Sequence, residues 1–245
     1  MTFERVKITG ESILYDPSLI ELASAADFEP APLAAAGRVV GQAAGRGTTW
    51  FLTARSPTLD LGSHWVLRHY RRGGLIARLI ADHYFWLGDS RSRSFAEFHL
   101  LAELTAAGLP VPVPVAARCV RHGLWYQADL LTVAIPNVRT LATQVLEGVG
   151  QPLDPVVGKS IGQVVRRLHK AGVWHADLNA HNVLIDDHHR IWIIDFDRAC
   201  RRAPGSWAQA NLLRLKRSLM KIHGTQGRVL PASDWALIES GYEGV

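Results

Sequence analysis

His175, Asp177, Asn182 and Asp195 interrupt a run otherwise built for burial, G-V-W-H-A-D-L-N-A-H-N-V-L-I-D-D-H-H-R-I-W-I-I-D-F-D-R, over residues 172–198. Their types suit one kind of chemistry. A carboxylate and an amide carbonyl are hard oxygen donors of the sort a magnesium ion takes, and a second carboxylate can accept the proton of an attacking hydroxyl. Phosphoryl transfer needs this combination. The charge spread over the transferred oxygens is met by a cation and by positioning, with little covalent work left for the protein. Asp177 is therefore the candidate base, Asn182 and Asp195 the candidate metal ligands, and His175 a brace for the loop.

The elements that must position these groups are legible around them. Apolar residues 183–185 and 191–194, separated by a turn over 186–190, predict a hairpin. Two short antiparallel strands bring their outer ends together, which returns Asp195 to the end where Asn182 stands. His188 and His189 fall in the turn and read as solvated. Ahead of the loop, Val157, Ile161, Val164, Val165 and Leu168 recur at helical spacing and predict a helix over 154–171 that delivers the chain into it.

H-x-D-x-x-x-x-N, then an apolar hairpin, then D-F-x, resembles the catalytic segment of protein-kinase-like enzymes. The resemblance implies an α+β fold in two lobes, a β-rich N-lobe over residues 1–134 and a shortened helical C-lobe over 135–245, with ATP and Mg2+ as cofactors. Residues 3–15 read as strands, and 22–37, broken by Pro30 and Pro32, as a loop or short helix. Residues 38–52 read as a hairpin whose Gly45 and Gly47 would let backbone N–H groups face phosphate, although the spacing is not G-x-G-x-x-G. A strand over 64–70 places Arg68 where kinases carry a phosphate-binding lysine, and no lysine occurs between Ile8 and Gly158. Arginine can grip phosphate with its planar fork. The bland alternative is a solvated arginine on an edge strand. Leu75, Ile76, Leu79, Ile80, His83, Tyr84 and Leu87 share one helical face, and a helix over 94–107 puts Glu97 in its first turn. Glu97 is expected either to pair with Arg68 or to serve the helix dipole. The hinge between lobes is expected over 132–136.

Composition narrows the class. The chain has 245 residues, 48% hydrophobic, with two cysteines and no apolar run long enough to cross a membrane, and the charged start M-T-F-E-R-V-K leads to the expectation of no signal peptide. A reducing compartment is the expectation. Net charge is +5, and from Arg198 to Ser233 there are eight basic residues and no acidic one. Leu212, Leu215, Leu219 and Ile222 line one face of a helix over 207–223, while Arg214, Arg217 and Lys221 line another. Such a helix can pack on a lobe or present charge to an anionic surface.

Over most of its length the chain is similar to the lipopolysaccharide kinases, those acting on the sugar 3-deoxy-D-manno-octulosonic acid (Kdo). The segments that carry this are V-L-R-H-Y-R-R-G-G, F-A-E-F-H-L-L, G-L-P-V-P-x-P, A-D-L-L-T-x-x-I-P, H-A-D-L-N-A-H-N and I-I-D-F-D-R. The resemblance implies transfer of the ATP γ-phosphate to the 4-hydroxyl of Kdo on a lipid A precursor glycolipid. The protein would be peripheral on the cytoplasmic face of the inner membrane, against an anionic membrane surface, with no obligate protein partner. Asp177 matches that family's catalytic aspartate. A heptose kinase acting on the same glycolipid and a kinase for a small molecule or aminoglycoside are the alternatives. Nucleic-acid binding by an inactive kinase fits the basic charge but not the retention of Asp177, Asn182 and Asp195 together. D-F-D replaces D-F-G, so less of a switch is expected at that turn, and only 50 residues follow Asp195, which disfavours protein substrates.

Overall fold

A computed structural model describes residues 2–44, 48–56, 58, 63–70, 84–148 and 150–245. The chain divides into two compact units, Met1–Ala106 with Pro112–Ala134, and Ala107–Val111 with Ile135–Val245. Gly45, Gly47, Arg71, Arg72 and most of the helix expected over 75–87 lie outside the described residues.

The first unit is built on a sheet of β1 (Glu4–Ile8), β2 (Glu11–Tyr15), β3 (Val39–Ala44), β4 (Thr48–Thr53), β5 (His64–His69), β6 (Tyr84–Phe85), β7 (Pro114–His122) and β8 (Trp125–Val133). Its order is β1-β2-β7-β8-β5-β4-β3, with β6 paired to the start of β8. β5 runs between β4 and β8, so Arg68 stands on an interior strand and not on an edge. One face of the sheet buries Ile13, Tyr15, Leu52, Trp65, Leu67 and Leu131 together with Phe28 and Leu33. Leu33 belongs to α1 (Pro30–Ala35), where Pro30 opens the helix instead of breaking it. In the first turn a missing N–H costs no helical bond. The end of the helix expected over 75–87 is corrected: Tyr84 and Phe85 are strand, pairing with Tyr126 and Trp125, and Leu87 is exposed. Aromatic residues at both positions suit a pleated partner better than a fourth helical turn.

α2 (Arg93–Ala106) packs on β7 and buries Phe95, Phe98, Leu101 and Leu104. Its N-terminal cap is Ser92, whose Oγ accepts from the Phe95 N–H at 3.4 Å, while Ser94 donates to the Arg118 carbonyl. Gly108, at φ 69, ends it in the left-handed conformation that only glycine adopts cheaply.

The second unit holds a sheet in the order β12 (Ile191–Ile193), β11 (Val183–Asp186), β9 (Val138–Thr140), and a short pair, β10 (Val173–Trp174) with β13 (Cys200–Arg201). Its helices are α3 (Leu141–Glu147), α4 (Pro155–Lys170), α5 (Trp207–Thr225) and α6 (Ala232–Glu243). Asp154 caps α4, its Oδ1 accepting from the Val156 and Val157 N–H groups at 2.8 and 3.1 Å. α4 and α6 touch backbone to backbone: a Cβ on Gly162 would meet the Ile238 carbonyl at 2.1 Å, and one on Gly241 the Lys159 carbonyl at 2.0 Å. The contact is closed to any larger residue, and it fixes the helix that leads into the polar loop.

Candidate active site

The hairpin sets the frame. β11 pairs with β12 in the register Val183↔Ile193, and the Ile194 N–H donates to the Asn182 carbonyl at 3.0 Å. Asn182 and Ile194 thus face one another across its open end, and Asp195 is the next residue. Asp195 has φ 63 and Arg198 φ 61, a left-handed backbone costing a non-glycine residue about 1–2 kcal/mol. Strain of this kind is kept where a turn must aim a side chain.

His175, fully buried, joins this strand end to the loop before it. Its Nδ1 accepts the Asp177 N–H at 3.2 Å, and its Nε2–H donates to the Ile194 carbonyl at 3.0 Å. The ring packs edge-on against Phe196, 4.9 Å between centroids. Burial pushes the imidazole pKa below its ordinary 6.5. The neutral ring has one donor and one acceptor nitrogen, the pair these two bonds require.

The loop is held largely through its backbone. The Asp177 carbonyl accepts from Asn182 Nδ2 at 2.9 Å and from Asn179 Nδ2 at 3.1 Å. With its nitrogen so committed, the Asn182 amide turns its carbonyl oxygen the other way. The Asp177 carboxylate, 26% exposed, accepts from Arg214 Nη2 at 2.5 Å through Oδ1.

Arg214 comes from α5, which supports the loop at further points. Asn211 donates to the His175 carbonyl at 2.8 Å and accepts the His175 N–H at 3.3 Å, and Ser218 Oγ accepts the Ala180 N–H at 3.1 Å. Residues 211, 214 and 218 share one helix face. The apolar face expected of this helix is buried as Leu212, Leu215, Leu219 and Ile222, and Arg217 and Lys221 are exposed. Arg214 does not simply join that charged face, because it engages Asp177. Sequence reasoning missed Asn211 and Ser218 and misread Arg214. The 3–4 spacing of the three was the available signal.

Asp186, in the hairpin turn, accepts from the His188 and Arg190 N–H groups and from Trp192 Nε1. Burial opposes its ionisation, and these bonds overcome it and hold the carboxyl below its ordinary range. It serves the turn, and His188 and His189 beside it are exposed.

In the first unit the structure brings Arg68 and Glu97 together. Arg68 Nη2 donates to the buried Glu97 Oε2 at 2.5 Å and to the Tyr70 hydroxyl at 3.1 Å, and that hydroxyl donates to Glu97 as well. A buried carboxylate needs such partners, since leaving it uncompensated costs several kcal/mol.

His169, which bonds Asn211 Oδ1 at 3.1 Å, and His223 have pKa values lowered by burial, as His175 has. The folded values lie below the unfolded 6.5, so on acidification the unfolded chain takes up protons first. The contribution of these histidines to stability is therefore expected to be flat above about pH 6.5 and to fall toward pH 5, by up to about 1.4 kcal/mol per pH unit for each. Thermal unfolding across this range checks it, with a shallower slope expected in His169→Gln. A melting temperature that rises on acidification contradicts it.

The model of the Lipopolysaccharide kinase (Kdo/WaaP) family matches residues 31–242. The chain belongs to this family. Similar proteins include a 3-deoxy-D-manno-octulosonic acid kinase of Vibrio vulnificus (strain YJ016), 43% identical over 235 residues that make up 96% of each chain. The protein of that name from Vibrio cholerae is 47% identical over 185 residues, 76% of this chain and 75% of the relative. The one from Xanthomonas axonopodis pv. citri is 43% identical over 234 residues, 95% and 89% of the two chains. Membership makes this chain a phosphotransferase with an alcohol as acceptor. In any transfer of phosphate to an alcohol the hydroxyl must lose its proton as it attacks phosphorus.

Proposed function

We propose that the protein transfers the γ-phosphate of ATP to a hydroxyl of Kdo, the 4-hydroxyl by family resemblance, on a lipid A precursor glycolipid. The observation that carries this is the single scaffold in which Asn182 bonds the Asp177 carbonyl directly and His175 ties the Asp177 N–H to Ile194, the neighbour of Asp195, in a chain so similar to Kdo kinases. The two compact units support a two-lobed reading, a β-rich lobe over 1–134 and a helical one over 135–245. In the first, Arg68, oriented by Glu97 and Tyr70, is the cation for the nucleotide phosphates.

In the second, the acceptor oxygen attacks the γ-phosphorus, its proton passes to the Asp177 carboxylate, and the bond to the β,γ-bridging oxygen breaks to leave ADP. Asp195 and Asn182 would hold a magnesium ion, which supplies charge against the phosphate oxygens. The donor set fits that ion. Among the described residues no group of three or more His, Cys, Asp or Glu side chains gathers into a cage. Magnesium is bound through one or two protein oxygens, keeping waters and substrate phosphates for the rest.

A peripheral place on the cytoplasmic side of the inner membrane is part of this reading. It is supported by an exposed apolar tip where β6 meets β8. Phe85, Leu87 and Leu124 are 53%, 62% and 65% exposed, Trp125 lies beside Phe85, and Arg121 stacks on Trp86. Residues 84–88 and 120–127 carry no acidic side chain. Aromatic and leucine side chains edged by arginine suit the interface of an anionic bilayer. Leu124→Asp is expected to weaken binding to vesicles containing phosphatidylglycerol by about 10-fold or more, from the apolar burial lost. Its activity on detergent-dispersed acceptor should be unchanged. Vesicle binding equal to wild type removes the tip from this role.

The function itself is tested by transfer of radiolabelled phosphate from ATP, with Kdo-bearing lipid A precursor beside a heptosylated acceptor. Labelling of the Kdo glycolipid that depends on Asp177 is expected. No labelling of either glycolipid overturns the reading, and labelling of heptose alone moves it to the heptose kinase.

A further inference from the structure

Arg214 stands in the way of Asp177 acting as a simple base. Its guanidinium binds Oδ1 of Asp177 at 2.5 Å, so that oxygen is engaged before any acceptor arrives. The side chain is also 46% exposed, and its helix is anchored on either side by the buried Leu212 and Leu215. No acidic residue occurs from Arg198 to Ser233, so α5 itself brings no carboxylate to compete for the guanidinium. The position is thus rooted, open to solvent and cationic, one ion pair away from the group that must take the acceptor proton.

A neutral sugar has nothing to draw the guanidinium off. A sugar acid does, because a second carboxylate can take an arginine's parallel N–H pair while the guanidinium stays within reach of the first. We infer that Arg214 binds the acceptor's carboxylate, and that this exchange leaves Asp177 Oδ1 to the attacking hydroxyl of the same sugar. This rests on the Kdo reading, since Kdo is an acid bearing both groups on one sugar. It makes Arg214 a specificity residue that selects acidic over neutral sugars. The alternative for a cation so near the base is contact with the transferring phosphoryl group.

The test compares wild type, Arg214→Gln and Arg214→Lys on Kdo-bearing lipid A precursor and on the same glycolipid with the Kdo carboxyl as its methyl ester. Wild type is expected to prefer the acid by about 10–100-fold in kcat/KM, the worth of a charge-assisted pair. Arg214→Gln should cut that preference to within about 3-fold, mostly by losing activity on the acid, with KM for ATP little changed and Arg214→Lys intermediate. Circular dichroism melts of all three proteins check that each is folded. A wild type equally active on acid and ester overturns the proposal while leaving the Kdo reading intact. So does Arg214→Gln that keeps the wild-type preference, or that slows both acceptors alike, which assigns the arginine to the phosphoryl group. A wild type that labels neither glycolipid fails the Kdo reading instead.

Discussion

Asp177→Asn is expected to lower kcat by about 10²–10⁴-fold, the usual worth of a general base, with kcat/KM falling in parallel and KM for ATP close to wild type. The substitution is nearly isosteric and keeps an oxygen for Arg214 to bind. It removes the group that would take the proton. It leaves the loop in place, because the bonds that shape it run through the backbone of Asp177: its N–H to His175 Nδ1, its carbonyl to Asn179 and Asn182. A melting temperature within a few degrees of wild type should accompany the lost rate. Parallel loss of kcat and kcat/KM marks an interaction made in the transition state. A kcat within about 3-fold of wild type would show that Asp177 only positions the hydroxyl or the loop, outside the range of general-base catalysis.

What the sequence discloses and what it hides follow from physics. The hairpin 183–193 is legible as two continuous apolar runs about a polar turn, since β11 is buried at every position, and α4 and α2 are legible because each buries one face, which writes a period of three to four into the residue types. The pairing of Arg68 with Glu97 was open to sequence reasoning only as one of two readings, since a glutamate in a first helical turn has a reason to be there without a partner. α6 was not anticipated. Its apolar content is broken by Ser240 and Gly241, and a glycine that lowers helix propensity reads as a stop. Here that glycine is the contact itself, packed on the Lys159 carbonyl of α4. The polar face of α5 was hidden for a different reason. Asn211, Arg214 and Ser218 are the types a solvated face carries, and only the structure shows two of them bonded to loop backbone and the third to a carboxylate. Periodicity reports where apolar residues are buried. It says little about polar residues whose partners lie far along the chain.

The second large effect is expected at Asp195. Asparagine is the informative replacement, because Asp195 holds φ 63 and asparagine tolerates the left-handed region where alanine adds strain of its own. The turn should survive through the Ile194 bonds to Asn182 and to His175 on its one side and through Phe196, packed on the His175 ring, on the other. What is lost is a negative charge among the oxygens that would hold magnesium. Since the charge such an ion supplies is worth several kcal/mol in the transition state, kcat should fall by about 10³-fold or more. Activity alone cannot separate this from the loss at Asp177, so a binding readout is needed. In the presence of ATP, manganese binding followed by electron paramagnetic resonance should weaken by at least about 10-fold in Asp195→Asn and stay within about 2-fold of wild type in Asp177→Asn. Asn182→Ala should fall between them, as the loss of a neutral ligand. If Asp195→Asn binds manganese as wild type does, Asp195 is not a cation ligand and its strained backbone needs another cause. If Asp177→Asn loses the cation too, the two carboxylates act on one ion, and the division of base from metal ligand fails.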